Sequence, residues 1–336
     1  MRRLGQISGS AILIGIFLVL PWTHLPSEEI SESMAVEIEQ NPELGYWEAF
    51  VLGLVEGITE YLPISSTGHL ILTNSALGLN SSDPIIDESG IPLLTPEGEP
   101  VTMKSAADAY AIVIQAGAIL AVLVLYWSRV WQIFMGIIGF SPNGRLLARN
   151  LLVAFLPAAV IGLLLDDWIE SLLFAPLPIA IALTAGGFLM LAVESWRKYQ
   201  LPDKDNILDL HKMGIKQCLF IGLMQCVAMW PGISRSMMTI VGGYAAGLKP
   251  AKAAEFSFLL GLITLTAASG YRALTRGPEL LMVVELKPLI LGIAVAFISA
   301  ALSVRWLVGY LTRHGLSLFA WYRFILAALV VFFLVR

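Results

Sequence analysis

The chain has 336 residues, 57% of them hydrophobic and 14% charged, with a mean hydropathy of +0.78. A soluble domain carries about 25% charged residues, so this composition excludes an ordinary soluble protein, and a net charge of -4 gives no basic field for nucleic acid. The two cysteines, Cys218 and Cys226, share one apolar stretch without Cys-x-x-Cys spacing, which argues against a disulfide framework or a zinc site.

Taken in chain order, Arg2 and Arg3 precede an apolar run from Ala11 to Leu20, the plan of a signal peptide or signal anchor. The run is short for a full span and no clean Ala-x-Ala site follows, so cleavage stays open. The positive end is expected in the cytoplasm, with the acidic stretch Glu28 to Glu43 exported. Tyr46–Leu79 is apolar and long enough for a helical hairpin, but Leu62-Pro63-Ile64-Ser65-Ser66-Thr67-Gly68 breaks it near the middle. The polar linker Asn80 to Lys104 reads as an exported loop with no assigned function. Apolar runs follow at Ala109–Trp127, Leu151–Leu165 and Leu172–Val193, each near the length of a membrane crossing. Ile215–Leu248 repeats the first pattern, broken at Trp230-Pro231-Gly232-Ile233-Ser234-Arg235-Ser236. Further crossings are expected at Phe256–Tyr271, Pro288–Val304 and Leu316–Val335, the last interrupted by Arg323.

Pro disrupts a helix and Gly tolerates a turn, and irregular backbone at membrane depth survives only where protein or water covers it. Both broken segments are therefore read as re-entrant hairpins. Gly53-Leu54-Val55-Glu56 leads into the first break and Gly222-Leu223-Met224-Gln225 into the second. The expected fold is an all-α polytopic membrane protein: six transmembrane helices plus two re-entrant hairpins arranged as an inverted repeat. A segment over 1–45 precedes a membrane domain over 46–336, with a first repeat at about 46–170 and a second at about 171–336. Charge gives the sidedness. Arg129, Arg145, Arg149, Arg197, Lys198, Lys204, Lys212, Lys249, Lys252, Arg305 and Arg313 all fall in loops placed in the cytoplasm when the first hairpin enters from the exported side. Asp166, Asp167 and Glu170 fall outside; Arg272 and Arg276 break the rule. The hairpins then enter from opposite faces, and paired interrupted segments mark a site near the midplane.

The polar residues of these breaks carry the candidate chemistry. Glu56 and Glu60, four apart on one helix, share a face without a basic partner in their own segment. Intramembrane carboxylates are functional candidates; this pair suits a divalent cation, or one of them a general base. Ser65, Ser66 and Thr67 stand where a helix restarts and offers free N–H groups to an anion. Ser66 and His69, three apart, form a minimal activated nucleophile, although Ser and Thr are also ordinary N-caps. Arg235, flanked by Ser234 and Ser236 and with Thr239 one turn on, makes a phosphate cradle. Gln115 is a polar residue early in the crossing after the first hairpin. No Gly-x-x-x-x-Gly-Lys nucleotide loop is present. Chemistry on the phosphate of a lipid is the economical inference. A transporter or flippase for a phosphorylated polyprenyl lipid, and a scaffold whose polar residues only lock helices together, are the rivals.

Glu56-Gly57-Ile58-Thr59-Glu60-Tyr61-Leu62-Pro63-Ile64-Ser65-Ser66-Thr67-Gly68-His69 resembles the first signature of the bacterial undecaprenyl-diphosphate phosphatases, the bacitracin-resistance family. Pro231-Gly232-Ile233-Ser234-Arg235-Ser236 with Thr239 resembles the second, and the resemblance runs from about Trp47 to the C-terminus, through Gln115, Glu255-Phe256-Ser257-Phe258 and Tyr322-Arg323-Phe324. It implies a hydrolase of the bacterial inner membrane that turns undecaprenyl diphosphate into the monophosphate carrier for peptidoglycan synthesis and confers bacitracin resistance. It also implies a site facing the periplasm, a divalent cation (Mg²⁺ or Ca²⁺) on Glu56 and Glu60, a homodimer among membrane lipids, and no nucleic acid partner. Glu56, Glu60, Ser66, His69 and Arg235 are the implied catalytic residues; Ser65, Thr67, Ser234, Ser236, Thr239 and Gln115 are the implied substrate-binding residues. The sequence departs from the family in its N-terminal extension before Trp47, its longer 80–104 linker, the bulky Met237-Met238 pair and Ala111 where an acidic residue often stands.

Overall fold

Proline and hydroxyl side chains mark where most of the helices begin. A computed structural model describes residues 44–335 except 87–89, 96–97, 200–207 and 284, and omits the side chains of 166, 167, 170, 198, 199 and 273–283. The signal-like segment lies outside the described residues. Eleven α-helices are described: α1 (Tyr46–Thr59), α2 (Ser66–Ala76), α3 (Met103–Leu125), α4 (Trp127–Ile137), α5 (Pro142–Leu173), α6 (Pro176–Tyr199), α7 (Ile215–Val227), α8 (Arg235–Ala245), α9 (Pro250–Val283), α10 (Leu286–His314) and α11 (Ser317–Leu334). α5, α6 and α9 start on a proline, whose missing N–H has no partner to lose in a first turn. α3 starts at a reciprocal capping box between Thr102 and Ser105. Gly315, at φ 74, ends α10.

Six helices are long and apolar enough to cross a membrane: Met103–Leu125, Pro142–Leu165, Pro176–Arg197, Pro250–Arg272, Leu286–His314 and Ser317–Leu334. Each contains or overlaps one of the six apolar runs of the sequence. Burial is inverted relative to a soluble protein. The apolar windows of these six helices are only 28–50% buried, and Leu164, Leu302 and Phe332 stand 75%, 66% and 68% exposed. Two short helices supply interior surface instead: in α8 every residue from Ser236 to Tyr244 is buried, and in α1 every residue from Val55 to Thr59. A chain that presents leucine and phenylalanine outward and wraps its polar loops inward is built for lipid. The protein is an all-α, multi-pass membrane protein.

Two elements had no counterpart in the sequence reading. α4 exposes Trp127, Trp131 and Phe134, whose rings follow one another at 6.3 and 5.3 Å, while Arg129 turns inward. An interfacial amphipathic helix has this pattern, and its single charge on a short apolar stretch hides it from a search for crossings. The 80–104 linker folds back on itself through antiparallel bridges Pro84–Thr102, Ile86–Pro92 and Leu94–Pro100.

The two broken segments are helix pairs with equivalent packing. Gln217 Nε2 at the start of α7 donates to Ala246 O at the end of α8 at 2.6 Å, so the two ends of that pair lie together. Leu44 before α1 and Leu79 after α2 share one buried cluster with Ala49, Leu52 and Met103. α1 packs on α10 and α7 on α5; α2 packs on α11 and α8 on α6. The contacts are made at matching glycines. Gly53 lies twelve residues before Ser65 and meets Gly292 O, and Gly222 lies twelve before Ser234 and meets Ala154 O. In each case a Cβ would sit 2.5 Å from that carbonyl, a distance only glycine permits.

Several charged ends that the charge rule places on one face are in contact. Arg129 Nε pairs with Glu255 Oε1 at 2.6 Å, and Lys252 Nζ reaches Glu255 Oε2 at 2.9 Å and Asp209 Oδ1 at 3.6 Å. Asn150 Nδ2 donates to Leu210 O at 2.8 Å, and Leu316 N donates to Glu194 Oε2 at 2.5 Å. Partial burial alone would raise the Asp209 carboxyl. The Leu210 N–H and the nearby Lys252, His211 and Arg129 hold it below its usual value.

Candidate active site between two serine loops

Each broken pair turns on a serine. Ser65 (φ 74, ψ 103) and Ser234 (φ 77, ψ 114) are the only non-glycine residues with positive φ among those described. Such a conformation is rare outside glycine and costs on the order of 1–3 kcal/mol. Both side chains then cap the helix that follows: Gly68 N donates to Ser65 Oγ and Met237 N to Ser234 Oγ, each at 3.3 Å. The two loops share the strained serine and its cap and differ just before it, where Gly232 at φ 97 stands in the place of Pro63; Met237 and Met238 are both buried.

The loops meet directly. Ser236 Oγ donates to Leu62 O at 2.8 Å. Arg235 Nη2 donates to Glu60 Oε1 at 3.0 Å, and Ser66 Oγ donates to Glu60 Oε2 at 2.7 Å. Glu60 thus holds the hydroxyl of one loop and the guanidinium of the other on its two oxygens. Ser66, Thr67, Ser234 and Arg235 are the half-buried residues here, while Leu62, Ile64, Ser65, Ile233 and Ser236 around them are buried, so these four form the mouth. The Arg235 guanidinium lies 5.4 Å from the Tyr61 ring centre and fits because residue 261 is glycine: a Cβ there would collide with Nη1.

Other candidates sit around this pair. Glu56 is fully buried, with the Gln115 amide within hydrogen-bonding range and Oε1 without a hydrogen-bond partner. Gln115 Oε1 in turn accepts from Ser269 Oγ at 2.8 Å. Thr239 is buried, bonded to Arg235 O at 2.9 Å and Ser257 Oγ at 2.6 Å, so it fastens α8 to α9 behind Arg235. Ser65 and Ser234 have their hydroxyls committed to the caps. His69 takes a different direction from Ser66. Its Nδ1 faces Ser65 O at 2.6 Å and its Nε2 faces Tyr322 OH at 2.7 Å, with the two rings stacked at 5.5 Å. The Ser66 proton therefore points at Glu60, and the carboxylate holds the place the sequence reading shared between His69 and a glutamate.

Sequence reasoning missed Tyr61, Ser257, Gly261 and the environment of Arg323. Tyr61, Ser257 and Arg323 stand inside stretches that resemble the family, but their contacts with the site arise only through tertiary packing. Among the described residues no cluster of three or more His, Cys, Asp or Glu could hold a metal. The free oxygen of Glu56 beside the doubly engaged Glu60 fits a cation only if phosphate oxygens and water complete its shell. A groove of about 810 Å³ between α6 and α11, lined by Leu177, Ile181, Phe324, Val331 and Phe332, is almost wholly apolar and separate from this polar cluster.

Six crossings around two interlocked serine loops, bearing acid, hydroxyl and guanidinium, define a multi-pass membrane protein with an internal polar cluster. The family model described as bacitracin resistance protein BacA matches residues 49–329, and the chain belongs to that family. It is 42% identical over 287 residues to an undecaprenyl-diphosphatase of Sorangium cellulosum (strain So ce56), covering 85% of each chain. It is 39% identical over 286 residues to undecaprenyl-diphosphatase 3 of Acinetobacter baylyi (85% of this chain, 97% of that one). It is 35% identical over 284 residues to the enzyme of Clostridium tetani (84% and 94%).

Proposed function

We propose that the protein hydrolyses undecaprenyl diphosphate to the monophosphate and inorganic phosphate, recycling the lipid carrier of peptidoglycan synthesis and so conferring bacitracin resistance. The observation that carries this reading is Glu60, bonded at once to Ser66 and to Arg235 across two loops. The names of the relatives support the substrate. The two helix pairs are re-entrant, the domain is an inverted repeat, and the site opens to the periplasm of an inner membrane; the charge pattern and the return of α8 to the start of α7 support this. Pairing of two copies rests on the family resemblance alone.

In this mechanism the diphosphate takes Arg235 away from Glu60, with the first-turn N–H groups of α2 and α8 and the hydroxyl of Thr67 at the same mouth. Glu60, relieved of its cation, keeps the hydrogen bond from the Ser66 hydroxyl and takes that proton as general base. Ser66 Oγ attacks the terminal phosphorus, the bond to the bridging oxygen breaks, and the lipid monophosphate leaves. Water then cleaves the phosphoserine and releases phosphate. Water deprotonated by Glu60 and attacking directly fits the same atoms. A divalent cation, Mg²⁺ or Ca²⁺, held by Glu56 with Glu60 and phosphate oxygens, would offset the charge of the diphosphate.

The test is phosphate release from undecaprenyl diphosphate by wild type, Arg235→Ala and Glu60→Gln in detergent, where no gradient exists for a transporter. Each substitution is expected to lower kcat/KM by about a hundredfold or more. Wild-type rates in both variants would remove the site, and no release by the wild type would favour a carrier.

A further inference from the structure

Among the described residues, Arg323 is the largest side chain fully removed from solvent. Its donors go to carbonyls: Nε to Leu183 O at 3.1 Å, Nη1 to Ile233 O at 3.0 Å, Nη2 to Ala182 O at 3.0 Å and Gly232 O at 2.9 Å. Among the described residues no carboxylate pairs with it. A guanidinium buried without a counter-ion is expensive, and a well-packed apolar residue would serve mere packing as well or better. The carbonyls it holds suggest what it is for. Leu183 and Ala182 belong to α6, whereas Gly232 and Ile233 are the two residues before Ser234. Arg323 therefore moors the second serine loop to α6, satisfying two buried carbonyls that the loop itself leaves open. Gly186 of α6 admits it, since a Cβ there would collide with Nη2.

The preceding residue does the matching work on the first loop. The Ser65 carbonyl can only accept, so His69 Nδ1 carries the proton and Nε2 accepts from Tyr322 O–H. The ring that Tyr322 holds is thereby bound to the backbone of Ser65 itself. Adjacent residues on a helix point about 100° apart, so one turn of α11 reaches α2 with Tyr322 and α6 with Arg323.

We propose that Tyr322 and Arg323 are positioning residues of the diphosphate site: together they set the spacing of the two serine loops, so that Ser66 and Arg235 address the same phosphate. This rests on the phosphatase reading above. Neither residue touches the reacting atoms. Arg323 acts through Gly232 and Ile233 on Arg235, and Tyr322 acts through His69 on Ser65 and Ser66.

The experiment is a kinetic cycle on the purified full chain in detergent, with undecaprenyl diphosphate as substrate. Lys in place of Arg323 keeps the charge but offers three donors on one atom, too few for the four carbonyls that Nε, Nη1 and Nη2 reach. Arg323→Lys is expected to lower kcat/KM about tenfold or more, with thermal unfolding close to wild type. Combined with Arg235→Lys it is expected to cost little beyond the worse single variant, because both damage one interaction. Tyr322→Phe, which removes one oxygen and keeps the ring stack, is expected to lower kcat several-fold while KM stays near wild type. Multiplicative losses in the double variant, a wild-type rate in Arg323→Lys or Tyr322→Phe, or failure of Arg323→Lys to fold would each overturn the proposal for that residue. Failure of the underlying reading shows separately, as undiminished turnover in Arg235→Lys alone.

Discussion

Ser66 is the residue on which the chemistry divides. Its hydroxyl donates to Glu60 Oε2 at 2.7 Å and stands at the half-buried mouth of the loops, where a phosphoryl group can reach it. If the phosphoryl group passes to Oγ, Ser66→Ala removes the acceptor and phosphate release falls about a thousandfold or more. A fall of less than about tenfold assigns the attack to water held by Glu60. Single-turnover phosphate release, with trapping of labelled protein in acid, reads both outcomes. His69 illustrates how a residue next to a nucleophile in sequence turns elsewhere in space. Three residues along a helix give a shared face, but the ring is claimed by the Ser65 carbonyl and by Tyr322, 253 residues away in the chain.

At the scale of the elements, the loops are held at their depth by close helix contacts. α1 approaches α10 at Gly53 and α7 approaches α5 at Gly222, in both cases against backbone carbonyls that cannot move aside. Gly53→Ala and Gly222→Ala are expected to destabilise the protein by about 1–3 kcal/mol each, read as lower unfolding temperatures in detergent. Gly309 of α10 faces open space, with no atom within 4 Å of an added Cβ. Gly309→Ala there is expected to stabilise by about 0.5–1 kcal/mol, because alanine loses less backbone entropy in a helix. Equal effects at all three positions would mean that close packing is not what fixes α1 and α7. The serine turns show the same division between local and tertiary causes. Pro63, Pro231 and Gly232 stop the helices, and the hydroxyl caps restart them, but the positive φ of Ser65 and Ser234 is maintained by what surrounds them.

For the whole molecule, the expectation is a fixed sidedness. Lys212 and Arg313 are exposed, in or flanking loops assigned to the cytoplasm, and Ser82 is exposed in the exported linker. With Cys218 and Cys226 replaced by alanine, Lys212→Cys and Arg313→Cys should label from one side of intact membranes and Ser82→Cys from the other, with an impermeant maleimide. Labelling of all three from the same side would break the six-crossing arrangement.

The sequence by itself determined the class of fold and singled out the polar residues that meet between the two loops. Apolar runs of membrane length cannot be hidden, because the hydrocarbon core sets helix length and forbids charge, and the six runs reappear as six long apolar helices. Glu56, Glu60 and Arg235 stood out because ionisable groups inside such a chain are expensive unless used, and Ser66 because its hydroxyl stands where a helix restarts within the same broken segment as the two glutamates. Tertiary structure alone decided their partners. That Glu60 bridges Ser66 to Arg235, that His69 turns to Tyr322, and that Arg323 grips four carbonyls instead of a carboxylate are contacts between segments far apart in the chain. Local periodicity reports which face a residue shares with its neighbours along one helix. It carries no information about which distant loop packs against that face, and here that packing leaves Glu60 beside the Ser66 hydroxyl and turns His69 to Tyr322.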